Sequence, residues 1–151
     1  MKLDISIADK SWKTVADLRK ITARAVRAVI QDPDVSVSLL FTGDAAIAEM
    51  NAQWRAKPYA TNVLSFPVPA DMPVQQGEPR ALGDIVLAYG VISQEAVLQQ
   101  KTMNSHVSHL IVHGILHLLG YDHENDAQAE LMEVREIEIL AGLGIANPYQ
   151  S

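Results

Sequence analysis

The chain contains no cysteine. That excludes a disulfide framework, a cysteine-rich zinc module, an iron–sulfur cluster and a thiol nucleophile. It leaves imidazole as the main metal-ligating side chain. Aromatic residues are scarce, at 5%, which limits stacking platforms for single-stranded bases to Tyr59, Phe66 and Tyr121. No stretch approaches the roughly 18 uninterrupted apolar residues of a membrane span. Lys2 and Asp4 interrupt the start of the chain too early for a signal-peptide core, so a soluble cytoplasmic protein is expected. Excess positive charge is missing as well. The net charge of −6 argues against a nucleic-acid partner, but its distribution qualifies that. Residues 1–27 hold seven of the twelve Lys and Arg against three acids, a local charge of +4, leaving −10 for the remainder. Such asymmetry can hide a basic face on an acidic protein.

What is present is ordinary globular composition, 48% hydrophobic and 20% charged over 151 residues. The length argues for one domain spanning residues 1–151. It suffices to bury roughly two-thirds of the unfolded surface without a disulfide or metal staple.

Leu3, Ile5 and Ile7 alternate with polar residues and predict a strand over 2–8. Thr14 to Asp17 has the form of a capping box, opening a helix to about Ile30 with Leu18, Ile21, Ala25 and Ala28 inward. Lys13, Lys20, Arg24 and Arg27 fall on another face of that helix. This basic stripe is a candidate surface for a nucleic-acid backbone, and an ordinary solvated helix face reads equally well. Val35, Val37 and Leu39 predict a second strand. Gly43-Asp44 then caps a helix over 45–56 with Ile47, Met50 and Trp54 on its apolar side. Val63 to Phe66 is a third strand. The proline-rich stretch 67–81 is long enough to be a functional lid, and Leu82 to Tyr89 is a fourth, central strand. Helices follow at about 91–101 and 105–119, and a last one is capped by Asn125 or Asp126 with Leu131, Val134, Ile137 and Ala141 inward. Strands interspersed with helices, then three helices in a row, predict an α+β fold: one small mixed four-stranded sheet covered by about five helices.

All five histidines fall between residues 106 and 123. His113 and His117 are four apart, so on a helix both rings share one face and can reach one cation at about 2.0–2.1 Å. Gly120 permits a left-handed turn, which lets the chain double back and bring His123 to the same point. This H-x-x-x-H-x-x-G-x-x-H pattern supplies three nitrogen ligands and no obvious fourth. Structural zinc sites are usually closed by four protein ligands, whereas catalytic ones keep a position for water, whose pKa the metal lowers toward about 7. His109, four before His113, is read as a group behind the ligands that supports them. A fourth ligand or a proton shuttle remain alternatives for it. His106 reads as a surface residue at the helix start. Asp122 could orient a ligand ring or simply belong to the turn. The same histidine spacing occurs in metzincin peptidases, whose general base is a Glu directly after the first histidine. Gly114 occupies that position here and can move no proton.

The run His113-Gly114-x-x-His117-Leu118-Leu119-Gly120-Tyr121-Asp122-His123 resembles the signature of the bacterial YbeY family. Thr61 to Pro67, Leu82 to Ile85 and the Met50–Arg55 segment resemble further blocks of that family, while Lys57 to Ala60 depart from it. The resemblance implies a zincin-like fold and a metal-dependent, single-strand-specific endoribonuclease. It implies action in ribosomal RNA maturation at the small-subunit 3′ end and in ribosome quality control. One divalent cation, zinc by expectation, would be held by His113, His117 and His123. The partners implied are single-stranded ribosomal RNA, the small ribosomal subunit and an Era-type GTPase.

The resemblance also marks Arg55 as functionally important. A guanidinium suits phosphate oxygens bidentately, so Arg55 is the candidate catalytic residue beside the metal. Asn62 and Ser65 are candidate substrate contacts. Two other readings stay open on the residues alone: a non-catalytic ribosome assembly factor with a structural metal, and a zincin-like peptidase.

Overall fold

A computed structural model describes residues 1–150. The strands are β1 (Lys2–Ile7), β2 (Val35–Thr42), β3 (Val63–Pro67) and β4 (Arg80–Ala88). The helices are α1 (Leu18–Val29), α2 (Asp44–Arg55), α3 (Tyr89–Leu98), α4 (Met103–Leu118) and α5 (Asp126–Gly142). The sheet order is β1-β2-β4-β3, with β1, β2 and β4 parallel and β3 antiparallel to β4. This is the expected mixed four-stranded α+β fold.

Strand alternation divides the core into two layers. Val37, Leu39 and Phe41 of β2 and Ile85 and Leu87 of β4 join Ala25 and Val26 of α1, Ile111 and Ile115 of α4 and Leu140 of α5 in one cluster. Leu64, Val86 and Ala88 face the other way and pack with Ile47 of α2. α4 is buried on most of its circumference, so it is the central helix on which the other elements position the site.

Two features bring α4 close to the β3–β4 edge. At Gly83, φ is +149°, and a Cβ there would lie 2.3 Å from the Phe66 carbonyl oxygen and 2.8 Å from Leu118. The β2–β4 register shifts next to it, between Ser36 and Val37, a bulge that only glycine allows at this spacing. At Gly114, on α4, a Cβ would stand 3.2 Å from both Ser65 Oγ and Ile85 Cδ1. The helix backbone therefore rests directly on β3 and β4.

Several sequence expectations are corrected. The capping box does not form. Residues Lys10–Thr14 make a 3-10 helix, and α1 starts only at Leu18 after Asp17 in a left-handed conformation with no side-chain cap. The cause is Trp12, fully buried, whose indole N–H donates to the Thr42 carbonyl at 2.8 Å and whose ring meets Phe41 and Tyr89 edge-on. Thr14 instead donates to the Ser11 carbonyl. Lys13 thus sits off α1, and the exposed basic face of that helix is Lys20, Arg24 and Arg27. Trp54 is exposed, because α2 buries Ile47 and Asn51. On α5, Leu131 and Val134 are exposed and the buried face is Met132, Glu136, Ile139 and Leu140.

Candidate metal centre

α4 begins one turn before the first histidine. Thr102 caps it, accepting from the Ser105 N–H at 3.1 Å. His109, His113 and His117 follow at four-residue spacing along one side. The helix ends in paired reverse hydrogen bonds, Tyr121 N–H to Leu116 O and Gly120 N–H to His117 O, both 3.0 Å. Gly120 has φ +101°, the left-handed residue such a stop needs. The chain then turns back, as the spacing predicts. Asp122 accepts from the His123 N–H at 2.7 Å, so it shapes this turn.

The result is a cluster in which His113, His117 and His123 each offer a nitrogen, all within 4.8 Å of one another. His113 and His117 meet with Nε2 atoms 3.1 Å apart. His113 donates from Nδ1 to Glu136, which leaves a lone pair on its Nε2. Two nitrogens facing each other at this distance need a proton or a cation between them. Burial, then the neighbouring His113 and His123, hold His117 below the ordinary histidine pKa, and neutral imidazole is the form that binds metals. The donor set therefore fits a divalent cation. Imidazole suits zinc, and also nickel, copper and iron.

Glu136 lies behind the cluster on α5, fully buried. Its carboxylate accepts from His113 at one oxygen and from His109 Nε2 (3.2 Å) and the Tyr149 hydroxyl at the other. Burial raises its pKa, but the hydrogen bonds from His109, His113 and Tyr149 prevail and bring it down to about 2. A carboxylate on the remote nitrogen of a ligating histidine fixes the tautomer and aims the lone pair at the metal. His109 faces this carboxylate and lies outside the ligand cluster, where the sequence suggested a supporting group.

His106 is not the surface residue expected. It is 2% exposed, and its Nε2 lies 2.9 Å from Glu95. Glu95 in turn accepts from Asn62 at 3.0 and 3.2 Å. The α4 helix starts earlier than the pattern suggested, so position 106 is already one turn inside it and faces α3. Burial is the main cause holding His106 below the usual histidine range, against the opposing pull of Glu95.

An open cleft of about 550 Å³ fronts the cluster, lined by Arg55, Asn62, Ser65, His113, His117 and His123 among others. Arg55 ends α2, where Ala56 adopts the left-handed conformation. It donates to the Ser65 carbonyl at 2.9 Å and lies 6.0 Å from the Phe66 ring centroid. Asn62 and Ser65 already have internal partners: Asn62 donates to Glu95 and accepts from the N–H of the next residue, Val63, and the Ser65 hydroxyl donates to Gly114 O at 3.2 Å. The proline-rich loop lines a separate cavity of about 500 Å³ with Leu118, Leu119 and Gly120.

Glu136, Glu95 and Tyr149 went unread in the sequence. Glu136 had a signal: with Met132, Ile139 and Leu140 it completes an i, i+4, i+7, i+8 face, an acid on an otherwise apolar stripe. No local pattern marks Glu95 or Tyr149.

Comparisons with known proteins place the chain among relatives. The sequence profile of a family described as Endoribonuclease YbeY matches residues 4–144. A protein of Chelativorans sp. (strain BNC1) named Endoribonuclease YbeY is 45% identical, covering 97% of this chain and 92% of its own length. One of the same name from Azorhizobium caulinodans is 42% identical, covering 99% and 96%. Among solved structures, the solution structure of TM1509 from Thermotoga maritima superposes with a TM-score of 0.55 over 99% of each chain at 23% identity, a likeness of fold. A match running from the first strand through the end of α5, across every residue of the histidine cluster, means that this chain belongs to the YbeY family.

Proposed function

We propose that this chain is a metal-dependent endoribonuclease that cleaves single-stranded RNA, with His113, His117 and His123 holding one divalent cation, zinc in the first instance. The observation that carries the reading is three imidazole nitrogens converging at the floor of an open cleft that Arg55 also lines. When bound, the cation would supply Lewis acidity toward a phosphoryl oxygen and lower the pKa of water. The protein's own groups do the rest. Glu136 keeps the His113 proton on Nδ1, so that Nε2 faces the cleft. Arg55 has five N–H donors. One is engaged by the Ser65 carbonyl, and the others are available to clamp phosphate oxygens and the charge that develops on them. Asn62 and Ser65, held by Glu95 and Gly114, form the cleft wall against which the strand is laid.

Two observations weigh against the other readings. Gly114 stands where a peptidase base would, and a side chain there would press on Ser65 and Ile85. His109 bonds Glu136 and lies outside the group of three histidines, which supports a site open at its fourth position.

Family membership extends the proposal to ribosomal RNA maturation at the small-subunit 3′ end and ribosome quality control, with the small subunit and an Era-type GTPase as partners. The absence of cysteine fits a reducing compartment, and no helix among the described residues is long and apolar enough to cross a membrane. A cytoplasmic location is part of the same proposal.

The test pairs metal content by mass spectrometry with cleavage of labelled single-stranded RNA, in independent ribonuclease-free preparations. Wild type should carry metal and cut. His113→Ala should lose both, and Arg55→Ala should keep its metal while losing most cleavage. Equal cleavage by all three would identify a contaminant and end the nuclease reading.

A further inference from the structure

Beyond α5 the chain reverses. Gly144 has φ +77°, and the Ile145 N–H reaches back to the Leu140 carbonyl at 2.9 Å, the helix stop that a left-handed glycine makes possible. Leu143 and Ile145 pack on the main core, which aims the following residues back along α5. Asn147 then makes a side-chain turn, its Oδ1 accepting from the Tyr149 N–H at 2.8 Å. This turn points the Tyr149 ring at the back of the metal centre. The ring meets His109 edge-on, 5.7 Å between centroids, and its hydroxyl donates to Glu136. The residue as a whole is 45% exposed, so a half-open surface residue reaches a fully buried carboxylate.

We propose that Tyr149 is a positioning residue for the histidine cluster: it holds the Glu136 carboxylate that orients His113, so that docking of the 145–150 segment and cation binding favour one another. The inference rests on the reading that His113, His117 and His123 bind a divalent cation.

Three donors converge on Glu136, and they are not equivalent. His113 takes one oxygen alone, while His109 and Tyr149 share the other. His113 and His109 hold one oxygen each from the same helix, the second only at 3.2 Å. Tyr149 arrives from a different segment and reinforces the weakly held oxygen. Without its hydroxyl, the second oxygen keeps only the 3.2 Å bond to His109, and water gains access from the exposed side. The carboxylate is then held less firmly against His113, and the lone pair of that ring is less well aimed. Coupling between two binding events is reciprocal, so whatever Tyr149 contributes to cation affinity, the cation must return as added order in the segment.

The experiment measures Zn²⁺ affinity by competition with a chromophoric chelator, and amide hydrogen exchange at Tyr149 and Gln150 with and without Zn²⁺. The proteins are wild type, Tyr149→Phe and His117→Ala. Tyr149→Phe keeps the ring on His109 and removes only the hydroxyl. Partners behind a metal ligand typically account for 10–100-fold in affinity, and one acting through a carboxylate should fall near the lower end, roughly tenfold. Zn²⁺ should slow exchange of the Tyr149 amide in wild type by a similar factor, and much less in Tyr149→Phe. A segment that merely packs would leave Zn²⁺ affinity unchanged. If Tyr149→Phe binds Zn²⁺ within twofold of wild type while His117→Ala loses binding, the positioning role is overturned and the metal site stands. If wild type binds no more tightly than His117→Ala, the metal reading itself fails and takes this one with it.

Discussion

Replacing Glu136 by Gln keeps the shape of the side chain and removes its charge. In the protein, burial alone would raise the carboxyl from 4.5, and the hydrogen bonds from His109, His113 and Tyr149 bring it down to about 2. A displacement of that size corresponds to roughly 3 kcal/mol of preference for the ionised form in the folded state. An amide cannot reproduce it. Whichever way it is turned, its NH2 faces groups that now donate, either the pair His109 and Tyr149 or His113, and these must reverse their roles around a neutral group. In the second orientation His113 relieves the clash by moving its proton to Nε2, where it blocks the lone pair that faces the cleft. Metal-free Glu136→Gln should therefore lose about 2–3 kcal/mol at pH 7, or roughly 4–12 °C in Tm for a domain of this size, and Zn²⁺ affinity should drop 10–100-fold. The pH dependence has a definite sign. A carboxyl with depressed folded pKa contributes fully above its unfolded value and loses that contribution as pH falls through the folded one. The gap between wild type and variant should thus be constant above pH 4.5 and shrink between there and about pH 2. Urea denaturation of chelator-treated protein at pH 7 and pH 3.5 measures it. Equal stability at pH 7, or a gap that ignores pH, would refute the claim that three donors hold a buried charge here.

Gly83→Ala should cost at least about 3 kcal/mol, since its φ is +149° and its Cβ would overlap the Phe66 carbonyl. A Tm within about 2 °C of wild type would show that β3 can move aside. His106, held below the usual histidine range chiefly by burial, is favoured neutral in the fold. Its unfolded form protonates first as pH drops through 6.5, so stability should fall below that pH. His106→Gln should flatten the slope, and an unchanged slope in denaturation midpoints from pH 7.5 to 5.5 would count against it. Replacing Lys20, Arg24 and Arg27 together by Gln should lower single-stranded RNA affinity and reduce its logarithmic salt slope by up to about 2, at roughly 0.7 per lost phosphate contact. An unaltered slope in fluorescence titrations would remove this face from the RNA path.

Much of the centre was legible because its geometry is local. The spacing of His113 and His117 and the glycine at 120 act within one helix and one turn, and hydrogen bonds three to five residues apart enforce them. The sheet was legible for the same reason, through strand alternation. What escaped depends on partners distant in sequence. The capping box at Thr14 lost to Trp12, whose buried indole bonds a carbonyl 30 residues away. The face of α5 was read from the helical spacing of Leu131, Val134, Ile137 and Ala141, yet the helix is rotated to present Glu136 to histidines 23 and 27 residues earlier. His106 is buried by Glu95 on another helix. In each case a polar group with a specific remote partner overrode local periodicity.

The glycine after the first ligand joins the fold to the chemistry. From sequence, Gly114 reads only as a missing base. In the structure its hydrogen is the contact surface between α4 and the β3–β4 edge: Ser65 Oγ and Ile85 stand 3.2 Å from where a Cβ would be, and the Ser65 hydroxyl donates to the Gly114 carbonyl. Ile85 is fully buried in the central strand and cannot withdraw without opening a gap in the core. A glutamate at this position would press on the side chains of Ile85 and Ser65, and Ser65 is the residue whose carbonyl accepts from Arg55. The close approach of α4 to β3 is thus crowded by any side chain at the position of the peptidase base. In the proposed reading, the same histidine spacing serves a cleft that a guanidinium lines together with the three imidazoles, and a fixed cation is the charge a phosphodiester requires.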